Sequence, residues 1–140
     1  MGAQTVEQAE QAFYNAFEQR DLSAMRALWD ATDDIVCVHP MASPLQGVTA
    51  VMQSWQQLFA GDEMLRFKPH IISRFVNDSL ATHHLYEQIF FGPRGRDSSV
   101  VIATNAYRLT DTGWRMIMHH GSPGSILEAP SATDPGSPLH

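Results

Sequence analysis

The N-terminal half of the chain carries apolar residues at the three- and four-residue spacing that is typical of α-helices. The first stripe predicts a helix over 6–19, and Thr5 is suited to cap it. A second, shorter helix is predicted after Asp21, and a third over 48–59. Between the second and third helices, the apolar run 35–39 predicts a short strand.

From residue 64 onwards the pattern changes to the period of two that is typical of β-strands. Turn-forming residues divide this half into four predicted strands: 65–76, 80–91, 99–109 and 113–123. Pro69 cannot donate a ladder hydrogen bond, so we expect the first of these strands to lie at a sheet edge or to carry a bulge. The predicted fold class is α+β, with three N-terminal helices packed on an antiparallel meander.

The last predicted strand contains two adjacent histidines, which must point to opposite faces if the alternation is regular. His120 shares its parity with Trp114 and Met116, whereas His119 shares its parity with Arg115. We therefore expect His120 to face the core and His119 to face solvent or a partner subunit. Both imidazoles are candidate ligand-binding groups.

Composition narrows the classes of partner. The 140-residue chain has a formal net charge of -6 with only nine Lys and Arg, so we expect no nucleic-acid partner. No stretch approaches the ~18 consecutive apolar residues of a membrane span, and the N-terminus lacks the features of a secretory signal, which predicts a cytoplasmic location. Cys37 lies in an apolar run, which predicts a buried, unreactive thiol.

The pattern of structured segments predicts one domain over residues 1–127. After it, residues 128–140 are rich in Pro, Ser and Gly and poor in apolar side chains. Such a composition cannot bury enough apolar surface to offset the entropy of ordering, so we expect a disordered tail.

Three polar residues stand out among apolar strand positions. Glu87 has Leu85 and Ile89 as neighbours on its own face, and a carboxyl group buried there would be a candidate acid or base. Asn105 is similarly placed, and His39 closes the first strand immediately before a loop, where functional groups often collect. Each also has a structural interpretation, with Glu87 exposed at an edge and the other two satisfying neighbouring polar groups.

Aromatic residues on both halves of the chain could line a pocket for a hydrophobic or aromatic small molecule. These candidates are Tyr14, Trp55, Tyr86 and Tyr107, although packing in the core explains them equally well. The histidines are paired in directions that oppose one another, and no metal-ligand spacing occurs, so we expect neither a metal nor another cofactor.

The chain resembles the NTF2-like superfamily. The residues that carry the resemblance are 38–40, Gly47, Trp55, 103–105 and the segment 113–123, whose sequence is GWRMIMHHGSP. Within the superfamily the chain is similar to the SnoaL-like branch and to the calcium/calmodulin-dependent kinase association domain. The resemblance implies helices packed on a strongly curved antiparallel sheet, a conical cavity between them, and a homodimer formed through the other face of the sheet.

Two functions are compatible with this resemblance. The first is a small-molecule cavity protein that transfers protons, as isomerases, cyclases and dehydratases do, with Glu87 or His39 as the base and Asn105, Tyr107 or His120 as hydrogen-bond donors. The second is a non-catalytic homodimeric binding or assembly module. An enclosed cavity that contains one of the two candidate bases would favour the first function, and a cavity filled by side chains would favour the second.

Overall fold

The computed structural model describes residues 2–125. The predicted boundary at residue 127 and the predicted tail over 128–140 lie outside the described residues. Among the described helices, none is long and apolar enough to cross a membrane.

The helices form where the apolar spacing predicts them. Helix α1 spans Val6–Gln19, and the Thr5 hydroxyl accepts a hydrogen bond from the backbone N–H of Gln8 at 3.1 Å. Helix α2 spans Leu22–Leu28, and the Asp21 carboxylate caps it in the same way. Helix α3 spans Val48–Phe59. Both side-chain caps satisfy N–H groups that have no partner inside the helix, which defines where α1 and α2 begin.

Six strands form a single sheet within the described residues. They are β1 Val36–Val38, β2 Leu45–Gln46, β3 Arg66–Val76, β4 Leu80–Phe91, β5 Asp97–Thr110 and β6 Gly113–Pro123. Their order across the sheet is β2-β1-β6-β5-β4-β3. The predicted meander is therefore confirmed, and β1 is added beside β6 as a parallel neighbour, so that the sheet is mixed. Strand β2, which the sequence pattern did not predict, pairs antiparallel with β1.

Strand β3 behaves as its proline predicts. It lies at the edge of the sheet and pairs only with β4 among the described strands. The register with β4 shifts between Ile71 and Ser73, which is the expected bulge. The edge position accommodates Pro69 because no neighbouring strand requires its missing N–H on the open side.

A second bulge reverses the predicted directions of the paired histidines. Opposite β5, Ala106 pairs with Met118 while Tyr107 pairs with Met116, so Ile117 is an extra residue on β6. Trp114 and Met116 are buried before the bulge, and His119 is buried after it, whereas His120 is exposed. The expectation that His120 faces the core was wrong, because one inserted residue exchanges the two faces of every residue that follows.

The core lies between the helices and the inner face of β4, β5 and β6. Phe13 and Phe17 of α1 contact Trp55 of α3, with ring centroids 5.6 and 4.9 Å apart, and Trp55 is fully buried. The other face of the sheet is less covered. Its exposed large apolar side chains, and those of the adjoining β3–β4 hairpin, include Ile72, Phe75, Val76, Leu80, Ile102 and Leu109.

Candidate functional site

Four polar side chains from four different elements form one hydrogen-bonded chain inside the core. The His119 ring nitrogen Nδ1 lies 2.6 Å from Asn105 Oδ1, and Asn105 Nδ2 donates to the Tyr14 hydroxyl at 3.1 Å. The Tyr14 hydroxyl in turn donates to Glu87 Oε2 at 2.5 Å. None of the four residues is more than 4% exposed, and we call them the polar chain.

The polar chain has a direction. Asn105 Oδ1 can only accept, so Nδ1 of His119 must carry the proton and donate it. Each following donor then points the same way, from His119 on β6 towards the carboxylate of Glu87 on β4. Aligned hydrogen bonds polarise one another in a low-dielectric interior, so the arrangement stabilises negative charge on Glu87.

Burial opposes this stabilisation. The pKa of Glu87 is raised from 4.5 to about 7, because desolvation of the carboxylate outweighs the hydrogen bond from Tyr14, which lowers the pKa. Burial first, and the charge of Glu87 second, raise the pKa of Tyr14 well above its ordinary value of 10.0. The pair therefore holds a carboxyl group that gains and loses a proton near neutral pH beside a phenol that keeps its proton.

His119 is the neutral end of the polar chain. Burial, with smaller contributions from His39 and His120, lowers its pKa from 6.5 to about 3. The ring lies against Phe13, with centroids 4.9 Å apart, and is surrounded by core side chains. A neutral imidazole with its proton fixed on Nδ1 orients the side-chain amide of Asn105. Because the ring is uncharged, it does not form an ion pair with Glu87.

A second polar group adjoins the polar chain and was not identified from the sequence. The His83 ring nitrogen Nδ1 lies 3.1 Å from Glu10 Oε1, and Arg74 approaches the same oxygen at 3.7 Å. We call these three residues the Glu10 cluster. Its position could have been inferred from spacing, since Glu10 lies four residues before Tyr14 on α1 and His83 lies four before Glu87 on β4. Each pair consequently shares one face of its element.

Two polar atoms of the Glu10 cluster, Glu10 Oε2 and His83 Nε2, are buried without a hydrogen-bond partner among the described residues. The ring of Tyr107 lies 5.2 Å from that of His83, and the pKa of Tyr107 is raised by burial first and by the charge of Glu10 second. Buried polar groups are usually paired, so Glu10 Oε2 is an acceptor that the described residues leave unused. Within residues 2–125, no group of three or more metal-binding side chains is present.

A cleft between α1 and β3 leads to both the polar chain and the Glu10 cluster. Its volume is about 340 Å³. Tyr14 and Glu10 line it from the helix, and Phe67, Ile71 and Arg74 line it from the strand. Tyr14 is therefore the member of the polar chain that a ligand in the cleft would reach first, and Glu87 lies directly behind it.

The remaining candidate residues lie apart from this cleft. His39 donates to or accepts from the Ser54 hydroxyl at 2.9 Å, and its ring lies against Trp55 with centroids 4.8 Å apart. Burial lowers the pKa of His39. The Cys37 thiol is 3.7 Å from the same imidazole, and burial raises its pKa to about 12, which keeps the sulfur protonated. The structure thus joins Glu87, but not His39, to the hydrogen-bonded group.

Comparison with known proteins agrees with this architecture. The family model for a SnoaL-like domain matches residues 6–125. The chain belongs to the SnoaL-like family. A crystal structure from Thiobacillus denitrificans, described as a candidate calcium/calmodulin-dependent protein kinase type II association domain, superposes on this SnoaL-like domain with a TM-score of 0.83. The two sequences are 34% identical over 89% of this chain and 99% of that one.

Two further relatives carry different names. A Streptomyces avermitilis protein, described as a candidate dehydratase of the NTF2-like family, is 31% identical, with a TM-score of 0.77 and coverage of 85% of this SnoaL-like domain and 93% of that chain. The F-box protein SKIP8 of Arabidopsis thaliana is 29% identical over 112 residues. Those residues are 79% of this chain and only 46% of the length of SKIP8. The predicted NTF2-like fold and SnoaL-like resemblance are confirmed.

The reversed histidine pair gives a first prediction. His119→Ala removes the donor to Asn105 Oδ1 and should destabilise the SnoaL-like domain by about 1–3 kcal/mol, since it leaves a buried acceptor unpaired. His120→Ala removes an exposed side chain and should change stability by less than about 0.5 kcal/mol. Urea denaturation of both variants measures the difference. Equal effects, or a larger effect from His120→Ala, would show that Ile117 is not bulged in solution.

Proposed function

We propose that this SnoaL-like domain binds a hydrophobic or aromatic small molecule in the cleft between α1 and β3 and transfers a proton to or from it. The observation that carries the proposal is the Tyr14–Glu87 pair, in which a fully buried carboxyl group with a pKa of about 7 is hydrogen-bonded to a tyrosine that lines the cleft. Carboxyl groups with such a pKa are efficient general acids and bases at neutral pH.

In the proposed mechanism Tyr14 meets the ligand and Glu87 stores the proton. When Glu87 is protonated, Tyr14 gives its own proton to a ligand oxygen while Glu87 replaces it. When Glu87 is ionised, the same relay runs in reverse. Tyr14 does not need to exist as a free phenolate, which agrees with its raised pKa. Asn105 and His119 hold the phenol in line throughout.

The reaction class is supported by the Streptomyces avermitilis relative, which is described as a candidate dehydratase. In a dehydration the Tyr14–Glu87 pair would deliver one proton to the departing hydroxyl as the carbon–oxygen bond breaks. It would then receive the carbon-bound proton as the double bond forms. The pair ends in its starting state, and water is the second product.

A β-hydroxy ketone tests this proposal. We expect the protein to accelerate conversion of 4-hydroxy-4-phenylbutan-2-one to 4-phenylbut-3-en-2-one, whose conjugated double bond is followed by its ultraviolet absorbance. Glu87→Gln and Tyr14→Phe should each lower the rate by about 100-fold or more, because each removes a member of the relay. The rate of the wild-type protein should follow an apparent pKa near that of Glu87, about 7.

The matched control is Glu63→Gln. It makes the same chemical change at an exposed carboxylate outside the cleft, where a Gln oxygen can still accept the bond from the backbone of Gly92. We expect wild-type rates from this variant. If the wild-type protein is no faster than Glu87→Gln, the proposed relay does not operate on this substrate class.

The second candidate is the non-catalytic homodimeric module, and the exposed apolar side chains of the sheet favour it. Phe75 is 72% exposed and Ile72 is 52% exposed, which is typical of a surface that another protein covers. The dense packing around Trp55 also favours it, since side chains fill the space between α3 and the sheet. A module would show no dependence of any rate on Glu87, so the same assay separates the two candidates.

A further inference from the structure

The cleft contains more negative than positive charge. Glu7, Glu10 and Glu18 line it together with a single arginine, Arg74, within the described residues. Glu18 is partly engaged, since its Oε2 accepts the backbone N–H of Phe67 at 2.7 Å. Three carboxylates against one guanidinium disfavour an anionic ligand and attract a cationic one.

Glu10 provides a second and independent observation. Its side chain is 9% exposed, and both of its partners, His83 and Arg74, use the same oxygen, Oε1. The other oxygen, Oε2, is buried and has no hydrogen-bond partner among the described residues. A buried carboxylate oxygen is costly to leave unpaired, and a charged donor satisfies it about twice as well as a neutral donor.

Glu10 is the residue at which the cleft meets the buried Glu10 cluster. His83, which contacts Oε1, is fully buried and does not line the cleft, so it holds the Glu10 carboxylate from the inner side. Oε2 is the acceptor that remains for a charged donor.

The walls of the cleft suit an apolar ligand body. Phe67, Pro69 and Ile71 of β3 line one side, and the ring of Tyr14 lines the other. Aromatic faces also attract cations directly. The cleft volume of about 340 Å³ accommodates a molecule of roughly ten non-hydrogen atoms, by comparison with the usual size of ligand pockets.

We propose that the cleft recognises an organic ammonium ion, with Glu10 as its charge partner and the β3 side chains as the wall for its apolar body. This inference rests on the proposed function, since it names the ligand class for the same cleft. It places the cation at Glu10 and therefore leaves the Tyr14–Glu87 pair free to act on another part of the ligand, one turn of α1 away.

Three probes with nearly the same apolar body test the inference: benzylammonium, benzyl alcohol and benzoate. We expect amide NMR titrations at neutral pH to show that benzylammonium binds at least about tenfold more tightly than benzyl alcohol, with benzoate weakest. The shifted amides should lie on α1 and β3. Equal binding of the ammonium and the alcohol, or preferred binding of benzoate, would overturn the inference.

Glu10→Gln locates the charge partner. Its amide oxygen can still accept from His83, so the local fold should be retained, while the preference for benzylammonium over benzyl alcohol should fall below about twofold. Glu63→Gln, with the same loss of charge outside the cleft, should keep the full preference. A preference that survives Glu10→Gln would overturn the assignment. The comparison of the three probes on the wild-type protein stands even if Glu10→Gln does not fold.

The two proposals fail separately. If benzylammonium binds in a Glu10-dependent way while the elimination assay shows no dependence on Glu87, the cation site is supported and the proton relay is refuted. If the elimination depends on Glu87 but benzylammonium binds no more tightly than benzyl alcohol, the relay is supported and the cation site is refuted.

Discussion

Glu87→Gln should make the protein more stable at pH 8, by about 3 kcal/mol, while abolishing the proposed proton transfer. Burial raises the pKa of Glu87 from 4.5 to about 7, so ionising this group inside the fold costs about 1.4 kcal/mol for each pKa unit. A Gln side chain avoids that cost and can still accept the hydrogen bond of Tyr14. A residue that lowers stability at working pH is typical of a site kept for function.

The sign of the pH dependence follows from the direction of the pKa change. The folded protein holds the Glu87 proton more tightly than the unfolded chain, so the contribution to stability is fully present below pH 4.5 and is lost as the pH rises through about 7. His119 acts in the opposite sense. Its pKa is lowered from 6.5 to about 3, so its contribution is present above pH 6.5 and is lost as the pH falls.

Urea denaturation at pH 5, 6.5 and 8 measures both effects. We expect the stability difference between Glu87→Gln and wild type to be small at pH 5 and to grow towards pH 8. The variant should retain the dependence that comes from His119 and His39, whose pKa values burial lowers, and so gain stability as the pH rises to about 6.5. A variant that is less stable than wild type at pH 8 would show that Glu87 is held ionised without cost.

Trp55→Ala should have the largest effect on the fold, at about 3–5 kcal/mol. The side chain is fully buried and its ring centroid lies within 6.1 Å of those of Phe13, Phe17, Phe59, His39 and His119. Removing the indole leaves a cavity at the point where α1, α3 and β6 meet. Such a loss is a large fraction of the stability of an ordinary domain and corresponds to a fall in Tm of about 10–20 °C.

Trp55→Phe is the matched control. The indole Nε1 has no hydrogen-bond partner among the described residues, so exchanging the indole for a phenyl ring leaves no polar group unpaired. Thermal denaturation should show a much smaller fall in Tm than for Trp55→Ala. Similar losses from the two variants would mean that the indole makes an interaction beyond packing.

Periodicity predicted most of the fold correctly, because helix and strand patterns depend on residues that are close in sequence. The three helices, the long strands of the meander and the edge position of β3 follow from apolar spacing, caps and one proline. The sequence also indicated Glu87 and Asn105, since both are polar residues on apolar strand faces. The short strand β2 lacked any such pattern, because two residues cannot show a period.

The tertiary structure alone decided which polar groups meet. Tyr14 and Glu87 are 73 residues apart, and their contact depends on how α1 packs across β4. The direction of His119 depends on a bulge at Ile117, which arises from pairing with β5 and leaves no mark in the alternation of β6. Local sequence determined which faces are apolar. Register and packing, which are set by contacts between distant segments, decided that Glu87 is buried and that His119 completes its hydrogen-bonded chain.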